Sequence, residues 1–331
     1  MTGRPITILG AGSWGTALAL LLSRKDQSVR LWSHEEKHVQ KMQSEGINGN
    51  YLPDHPFPKS LHVYHDLEAS LEGVTDILIV VPSFAFQEVV HRIKPYVNSH
   101  GRIAWGTKGF ATGHRLLHEV VEAELGQLPV AALSGPSLAT EVASGLPTAL
   151  TVASNDINFS HDLIERLHSP YFRVYQNNDL VGVEICGSVK NILAIATGIS
   201  DGLALGANAR AALITRGLTE MGRLVMTLGG QKETLIGLAG LGDLVLTCTD
   251  NQSRNRQFGL ALGEGVSRKN AEQAIGRAIE GLYNTNQVWA LAKKYNVEMP
   301  ITQKIYHILH KNLDPKQAVQ ELLHRSAKIE A

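Results

Sequence analysis

The stretch that decides the fold is Ile6-Thr7-Ile8-Leu9-Gly10-Ala11-Gly12-Ser13-Trp14-Gly15. Residues typical of a buried strand lead directly into the spacing Gly-x-Gly-x-x-Gly, and an Ala- and Leu-rich helical stretch follows over residues 16–23. In that setting Gly10 permits a tight turn, Gly12 lets a pyrophosphate approach the backbone, and Gly15 allows close packing of helix on strand. The N–H groups at the start of the helix would face the phosphates. The stretch predicts a dinucleotide-binding site; a glycine-rich turn without a ligand is the alternative.

The rest of the first half continues this alternation of short apolar strands and helical stretches. The further strands are predicted at residues 29–32, 76–81, 102–105, 129–133 and 148–153. Such alternation is typical of a mostly parallel sheet covered on both faces. Helical patterns then dominate, over residues 183–198, 206–228 and 270–295. We therefore predict an α/β protein with a Rossmann-type domain over residues 1–179 and an all-α second domain over residues 180–331.

Charge and composition narrow the class of protein. The chain has 331 residues, with Lys+Arg and Asp+Glu equal at 31 each. A nucleic-acid or membrane-surface protein would need a basic excess, so neither partner is expected. The apolar run at residues 77–81 is far too short to cross a membrane, and the N-terminus shows no signal-peptide pattern. The two cysteines, Cys186 and Cys248, lack metal-ligand spacing, so we expect a cytoplasmic protein without a metal site.

Polar residues follow three of the predicted strands. These segments are Pro82-Ser83, Gly106-Thr107-Lys108-Gly109 and Ser134-Gly135-Pro136-Ser137. The carboxyl ends of parallel strands share the edge of the sheet at which ligands bind. Pro136 suits the first turn of a helix, which would leave the N–H groups around Ser137 for an anion or hydroxyl. Lys108 would reach the same crevice, so together these ends predict a ligand site.

The end of the second strand bears on the choice of cofactor. An NAD-specific site usually has an acid there that binds the ribose 2′-hydroxyl. This chain has Ser33-His34, with Glu35 and Glu36 just beyond. A 2′-phosphate would not be repelled, and His34 could donate a hydrogen bond to it. We therefore predict NADPH as the preferred cofactor, with NADH also accepted; His34 as a solvated turn residue is the alternative.

Lys190 lies in an otherwise apolar helical segment. Loss of hydration there would favour the neutral amine and prepare the side chain for proton transfer, whereas a lysine that extends to solvent is the alternative. A second polar pair in apolar surroundings, Asp243 and Thr247, is spaced four residues apart and so shares a helical face. A carboxylate near Lys190 would stabilise and orient its charged form, although Asp243 could equally be an ordinary residue of a helix N-terminus.

A cluster of side-chain donors follows over residues 251–256, in the order Asn-Gln-Ser-Arg-Asn-Arg. Guanidinium groups with neighbouring Ser and Asn donors suit a terminal phosphate, which they can bind through paired hydrogen bonds. A solvated polar turn is the alternative. In a chain without net positive charge, this cluster is where we expect an anionic substrate to be anchored.

Taken in order, these segments resemble bacterial NAD(P)-dependent glycerol-3-phosphate dehydrogenases, over residues 6 to about 302. The resemblance rests on Gly10 to Gly15, the Lys108 strand end, Ser134-Gly135-Pro136, Val189-Lys190-Asn191, Gly206-Ala207-Asn208, Thr215-Arg216-Gly217, Gly240-Leu241-Gly242-Asp243 and Ser253-Arg254-Asn255. Ser137 stands where Thr is commoner, and Trp14 where Tyr or Phe also occurs. Ser137 keeps the hydroxyl group, and Trp14 keeps an aromatic ring.

The resemblance implies roles for particular residues. Lys190 would exchange the proton at the substrate oxygen, with Asp243 and Thr247 beside it. The residues implied to bind substrate are Lys108, Gly135, Ser137, Lys190, Asn191, Asp243, Ser253, Arg254 and Asn255. Those implied to bind cofactor are Gly10, Gly12, Ser13, Trp14, Gly15, His34, Tyr51, Lys108, Ala139, Arg254, Ala278 and Glu280. The implied reaction interconverts dihydroxyacetone phosphate and sn-glycerol 3-phosphate, in a cytosolic homodimer that supplies phospholipid synthesis.

Two other functions remain open from the sequence. One is a different dehydrogenase with a Rossmann domain and a helical domain, of the β-hydroxyacid or 6-phosphogluconate type, since composition does not exclude a carboxylate substrate. The other is a redox-sensing protein that binds NADPH without turnover. That second function would make Lys190 and Asp243 dispensable, so an assay of NADPH oxidation with dihydroxyacetone phosphate distinguishes it from an enzyme.

Overall fold

In a computed structural model of the chain, which describes residues 4–324, the backbone forms two compact units. The first ends at Glu184 and the second begins at Ile185. A single helix, Leu180–Gly202, runs through that point, and it begins at the residue where the sequence predicts the second domain. The division between the two units therefore falls within this helix, a few residues after the boundary that the sequence predicts.

The first unit is built on a mostly parallel sheet, as predicted. The strands are β1 (Ile6–Leu9), β2 (Val29–Trp32), β3 (Ile47–Asn48), β4 (Leu52–Pro56), β5 (Leu61–Tyr64), β6 (Asp76–Ile79), β7 (Arg102–Trp105), β8 (Val130–Ser134), β9 (Thr148–Ser154) and β10 (Phe172–Asn177). Eight of them form one sheet in the order β10-β9-β8-β7-β6-β1-β2-β5, while β3 and β4 form a separate hairpin. Within the large sheet only the β8–β9 pair is antiparallel. The Rossmann-type prediction is confirmed.

Helices connect the strands of the first unit. They are α1 (Ser13–Ser23), α2 (Glu36–Glu45), α3 (Leu67–Leu71), α4 (Ser83–Ile93), α5 (Leu117–Leu125), α6 (Ala139–Ser144) and α7 (Ile157–Leu167). Helix α1 is buried from Gly15 to Ser23, because its Ala and Leu side chains pack on the central strands. The burial of both the sheet and α1 fixes the carboxyl end of β1, from which the Gly-rich turn emerges.

The second unit is helical. Its elements are α8 (Leu180–Gly202), α9 (Gly206–Thr227), α10 (Lys232–Leu235), a π-helical turn (Leu238–Gly242), α11 (Asp243–Thr249), α12 (Arg254–Gly263), α13 (Arg268–Ile275), α14 (Glu280–Lys294), α15 (Pro300–Lys311) and α16 (Pro315–Leu323). The single helical stretch predicted over residues 270–295 is two helices. Gly276, with φ +61°, ends α13 in the left-handed conformation that a glycine adopts readily.

Helix α8 is the apolar axis of this unit. It is long and apolar enough to cross a membrane by length and composition, but 89% of its apolar window is buried within the protein, as in a core helix. Four glycines let α12 approach it closely. A Cβ at Gly198 or Gly202 would lie 2.2–2.3 Å from a backbone oxygen of α12, and one at Gly259 or Gly263 2.1–2.4 Å from a backbone oxygen of α8. Only glycine fits this crossing, which sets the α8 backbone directly against α12.

Candidate active site

The Gly-rich turn after β1 has the backbone shape that its sequence predicts. Gly10 has φ +118°, and a Cβ there would lie 2.4 Å from the carbonyl oxygen of Val80. A Cβ at Gly15 would lie 1.9 Å from the carbonyl oxygen of Gly10, so both positions require glycine. At Gly12, by contrast, a Cβ would meet nothing within 4 Å. That open space lies where the predicted pyrophosphate would approach the backbone.

The start of α1 is suited to an anion. Gly12 is its N-cap and contributes no side-chain hydrogen bond, so the first N–H groups of the helix are not capped by that residue. The neighbouring Trp14 carries a buried indole Nε1–H without a hydrogen-bond partner among residues 4–324. A Cβ at Gly106 would lie 2.7 Å from this nitrogen, which explains the glycine at the end of β7. An uncapped helix start and an indole donor without a partner fit a phosphate-containing cofactor.

The residues of the first unit at the other predicted cofactor positions differ in exposure and in their contacts. Ser33, directly after β2, is 5% exposed, whereas His34 is exposed and lies 3.9 Å from the Glu35 carboxylate. Tyr51 stacks at an angle on His38 of α2, with ring centroids 5.6 Å apart. Ala139 is the first residue of α6. His34 is therefore accessible to a 2′-phosphate, while Ser33 is held at the end of its strand.

The polar ends of β7 and β8 come together at one edge of the sheet. The Lys108 Nζ donates to the carbonyl oxygen of Gly135 at 3.2 Å, and the Ser137 hydroxyl donates to the same oxygen at 2.9 Å. Gly135 has φ +144°, which favours glycine. The prediction that Pro136 begins a helix is wrong, because α6 starts at Ala139 with Leu138 as its N-cap. Residues 135–138 instead form an irregular turn, and this turn brings Ser137 beside Lys108.

In the second unit, Lys190 of α8 lies against α11. Its Nζ donates to Asp243 Oδ1 at 2.5 Å and to Thr247 Oγ1 at 2.8 Å. The exposed fractions are 7% for Lys190, 1% for Asp243 and 8% for Thr247, so the pair is shielded from water. The four-residue spacing places Asp243 and Thr247 on the same face of α11, as the sequence indicates. A buried ammonium held by a carboxylate and a hydroxyl is an arrangement that can give or take a proton.

The turn before α11 explains how Asp243 is buried. The π-helical turn Leu238–Gly242 leads into the helix, and a Cβ at Gly240 would lie 2.2 Å from the carbonyl oxygen of Leu235. Cys248, one residue beyond Thr247, is buried, and burial raises the pKa of its thiol to about 12. The thiol therefore stays protonated near neutral pH. Cys186 and Cys248 are buried and form no disulfide.

The predicted phosphate cluster lies at the start of α12. Ser253 is the N-cap and accepts a hydrogen bond from the Arg256 backbone N–H at 3.3 Å. Arg254, the first residue of the helix, is exposed, and Asn255 is buried. The Asn255 amide donates to Asn191 Oδ1 at 2.9 Å and accepts from the Gly281 backbone N–H at 2.8 Å. The structure thus joins Asn191, next to Lys190, to the start of α14.

Sequence reasoning missed the part that Arg256 plays. Its guanidinium is buried and donates to the Cys248 carbonyl oxygen at 3.1 Å, to Asn251 Oδ1 at 2.5 Å and to Asp201 Oδ2 at 2.5 Å. Asp201 also pairs with Arg210 at 2.9 Å. These bonds fix both ends of the loop that carries Ser253. The only signal in the sequence was a second arginine two residues after Arg254, which does not reveal which of the two faces a ligand.

Besides Arg254, the predicted cofactor residues Ala278 and Glu280 lie in the second unit. Ala278 is half-buried just before α14, and Glu280 begins that helix. The Glu280 carboxylate accepts from Asn284 Nδ2 at 3.2 Å, which holds it along the first turn. Among the described residues there is no group of His, Cys, Asp and Glu side chains arranged to hold a metal ion.

Both the N-terminal and the C-terminal parts of the chain match a known protein family. The family described as NAD-dependent glycerol-3-phosphate dehydrogenase matches the chain in two parts, its N-terminus at residues 5–160 and its C-terminus at residues 179–320. A glycerol-3-phosphate dehydrogenase [NAD(P)+] of Coxiella burnetii is 72% identical over 326 residues, covering 98% of both chains. The chain belongs to this family.

Other members of the glycerol-3-phosphate dehydrogenase family agree over the same length. The protein of that name from Mannheimia succiniciproducens is 51% identical over 329 residues, covering 98% of each chain. A crystal structure of the Coxiella burnetii glycerol-3-phosphate dehydrogenase superposes with a TM-score of 0.97 and covers 98% of this chain and all of the other. This agreement confirms the predicted fold class of a Rossmann-type domain followed by a helical one, and it decides against the β-hydroxyacid and 6-phosphogluconate alternatives.

Proposed function

We infer that the chain is an oxidoreductase that interconverts dihydroxyacetone phosphate and sn-glycerol 3-phosphate with NAD(P)H. Family membership over nearly the whole chain supports the reaction. The observation in the structure that carries it is the buried Lys190–Asp243–Thr247 cluster, because reduction of a ketone needs a proton donor in a site shielded from water. A protein that only senses NADPH would have no use for this costly buried charge pair.

The proposed role of Lys190 follows from its bonds. When bound, the nicotinamide supplies or accepts the hydride at the substrate C2 carbon. In reduction, Lys190 Nζ donates a proton to the C2 oxygen as negative charge develops there; in oxidation it takes the proton back. Asp243 keeps the ammonium oriented and compensates its charge, and Thr247 fixes a second Nζ–H direction.

The substrate phosphate would be bound at the start of α12. Arg254 is the exposed guanidinium of the cluster, and Ser253 adds a hydroxyl. Backbone N–H groups and the positive end of the helix dipole add to this attraction, which the balanced overall charge does not provide. Lys108, Gly135 and Ser137 of the first unit are proposed as further substrate contacts on the grounds of the shared family motif and the hydrogen bonds that gather them.

For the cofactor we propose the Gly-rich turn as the pyrophosphate site and NADPH as the preferred form. The absence of a carboxylate at Ser33-His34 and the exposure of His34 favour a 2′-phosphate. Trp14, Tyr51, Ala139, Ala278 and Glu280 complete the proposed cofactor set, with Arg254 and Lys108 shared between cofactor and substrate. We further propose a cytoplasmic homodimer that supplies glycerol 3-phosphate for phospholipid synthesis, as the family resemblance implies.

A single assay tests this function. The purified full-length chain is mixed with NADPH or NADH and dihydroxyacetone phosphate, and loss of reduced cofactor is followed by absorbance. We expect turnover with dihydroxyacetone phosphate, little with unphosphorylated dihydroxyacetone, and a higher kcat/KM for NADPH than for NADH. Equal rates with the two ketones would contradict the phosphate site, and a preference for NADH would contradict the cofactor assignment.

A further inference from the structure

Asn48 is a fully buried amide next to the Gly-rich turn. It ends the short strand β3, and its exposed fraction is 0%. A buried amide is costly unless its donors and acceptor are all paired, so its partners show what the residue is for. None of the motifs in the sequence points to this position, and the family resemblance assigns it no role.

The partners of Asn48 all belong to the elements around the proposed cofactor site. The Asn48 Nδ2 donates to the carbonyl oxygen of Ala11 at 2.9 Å and to Thr16 Oγ1 at 2.8 Å. Its Oδ1 lies 2.9 Å from the Nε2 of His38 in α2. Both amide hydrogens are therefore used on the turn and on α1, and the oxygen accepts from an imidazole with its proton on Nε2.

The same residue also reaches Tyr51. The Tyr51 backbone N–H donates to the Asn48 carbonyl oxygen at 3.0 Å, which closes the turn between β3 and β4. His38, held by the Asn48 side chain, contacts the Tyr51 ring. One buried residue thus ties together the middle of the Gly-rich turn, the first turn of α1, and an aromatic ring proposed to line the cofactor.

We propose that Asn48 is a positioning residue for the dinucleotide: it fixes the Ala11 carbonyl so that the N–H groups of the Gly12–Gly15 segment face the pyrophosphate. This inference rests on the proposed cofactor site at that segment. The physical reason is that glycines make the turn possible but also flexible, since they lose more conformational freedom on folding than other residues. Two hydrogen bonds from a buried side chain remove that freedom before the cofactor binds, which lowers the cost of binding.

Substitutions at Asn48 and Thr16 separate this role from mere core packing. Asn48→Asp has nearly the same shape but replaces the two donors by a carboxylate oxygen, which would face the Ala11 carbonyl oxygen and repel it. Thr16→Val keeps the volume of Thr16, which is fully buried, and removes one acceptor while leaving the Ala11 bond. Asn155→Ala is the matched control. Asn155 also bonds backbone groups of the first unit, accepting from Val130 N at 2.7 Å and donating to the Leu128 carbonyl at 3.1 Å, away from the Gly-rich turn.

The measurements are the dissociation constant for NADPH by fluorescence titration, and kcat with separate KM values for NADPH and dihydroxyacetone phosphate. We expect Asn48→Asp to raise the NADPH dissociation constant and KM about 10- to 100-fold, the scale of one or two buried hydrogen bonds, with the KM for dihydroxyacetone phosphate within about twofold. Thr16→Val should show a smaller change in the same direction, and Asn155→Ala should lower thermal stability without changing either KM.

If Asn48→Asp does not fold, the same dissociation constant and KM values are measured for Thr16→Val and for Asn48→Ser, which keeps a hydroxyl donor. NADPH affinity in the variants equal to that of Asn155→Ala would overturn the proposal, as would equal increases in the KM of both substrates. An unmutated protein without NADPH binding would instead show that the proposed cofactor site is wrong, which is a different outcome from an active enzyme that is indifferent to Asn48.

Discussion

Removing Lys190 should abolish turnover and also weaken the fold, and the two effects can be separated. Lys190 and Asp243 are joined by a 2.5 Å ion pair with exposed fractions of 7% and 1%. Lys190→Ala takes away the ammonium that compensates a buried carboxylate. Breaking a buried pair by removing one partner costs about 3–5 kcal/mol, so inactivity of this single variant would not by itself prove a catalytic role.

The double variant Lys190→Ala/Asp243→Asn resolves the ambiguity. It removes the uncompensated charge together with the amine, so we expect it to regain most of the lost stability. Turnover should stay at least about a hundredfold below the parent, because the general acid is still missing. Asp243→Asn alone is the matched control: it keeps the amine but loses its orientation, so its kcat should lie between those of the parent and the double variant.

The assay combines thermal melting with initial rates at saturating NADPH and dihydroxyacetone phosphate. We expect the melting temperature to fall clearly for Lys190→Ala and much less for the double variant, while NADPH affinity stays near that of the parent in both. A double variant that is folded and retains more than about a tenth of the parental kcat would refute the assignment of Lys190 as proton donor.

Three other substitutions test separate parts of the argument. Arg254→Ala should raise the KM for dihydroxyacetone phosphate about 10- to 100-fold through the loss of charge-assisted hydrogen bonds, and lower kcat as well, which steady-state kinetics would show. Ser33→Asp, by placing a carboxylate against the 2′-phosphate, should lower the NADPH-to-NADH ratio of kcat/KM by at least about tenfold; an unchanged ratio would mean that the 2′ position is recognised elsewhere. Burial raises the pKa of Glu220 from 4.5 to about 7. The Glu220 carboxyl therefore stabilises the fold fully below pH 4.5, and this stabilisation is lost as the pH rises through 7. Relative to Glu220→Gln, the parent should lose about 3 kcal/mol of unfolding free energy over that pH range. Parallel plots of melting temperature against pH for the two proteins would contradict this.

The sequence predicted the central strands well and the edge strands poorly, for a physical reason. The strands in the middle of the sheet, such as β1 and β6, are buried at every position and consist mostly of Ile and Leu. Strands β5 and β10 are the two edge strands of the sheet, and their residues alternate between buried and exposed. In β10, Phe172 and Val174 face inward while Arg173 and Tyr175 are exposed, so no continuous apolar run marks the strand.

In the candidate site, residue spacing predicts contacts within one helix but not contacts between separate elements. Asp243 and Thr247 were predictable as a pair because a four-residue interval on a helix places two side chains on one face. Asn48 was not, since its contacts with Ala11, Thr16 and His38 join four separate elements of the chain. No periodicity within one segment encodes such a contact; it exists only after the first unit has folded.

The two arginines of the phosphate cluster show what the structure adds to composition. Composition alone does not distinguish Arg254 from Arg256, which lie two residues apart on a helix and therefore on different sides of it; only the family resemblance points to Arg254. In the folded chain Arg256 is buried and Arg254 is exposed. The Arg256 Nε and both of its terminal nitrogens donate to Cys248, Asn251 and Asp201, so its fork is occupied by the protein itself. Arg254 is exposed at the first position of α12, where the helix dipole also attracts an anion. Arg256 is buried and holds the loop before α12, whereas Arg254 is the exposed guanidinium at the start of that helix, and this is why we propose Arg254 rather than Arg256 as the anchor of the substrate phosphate.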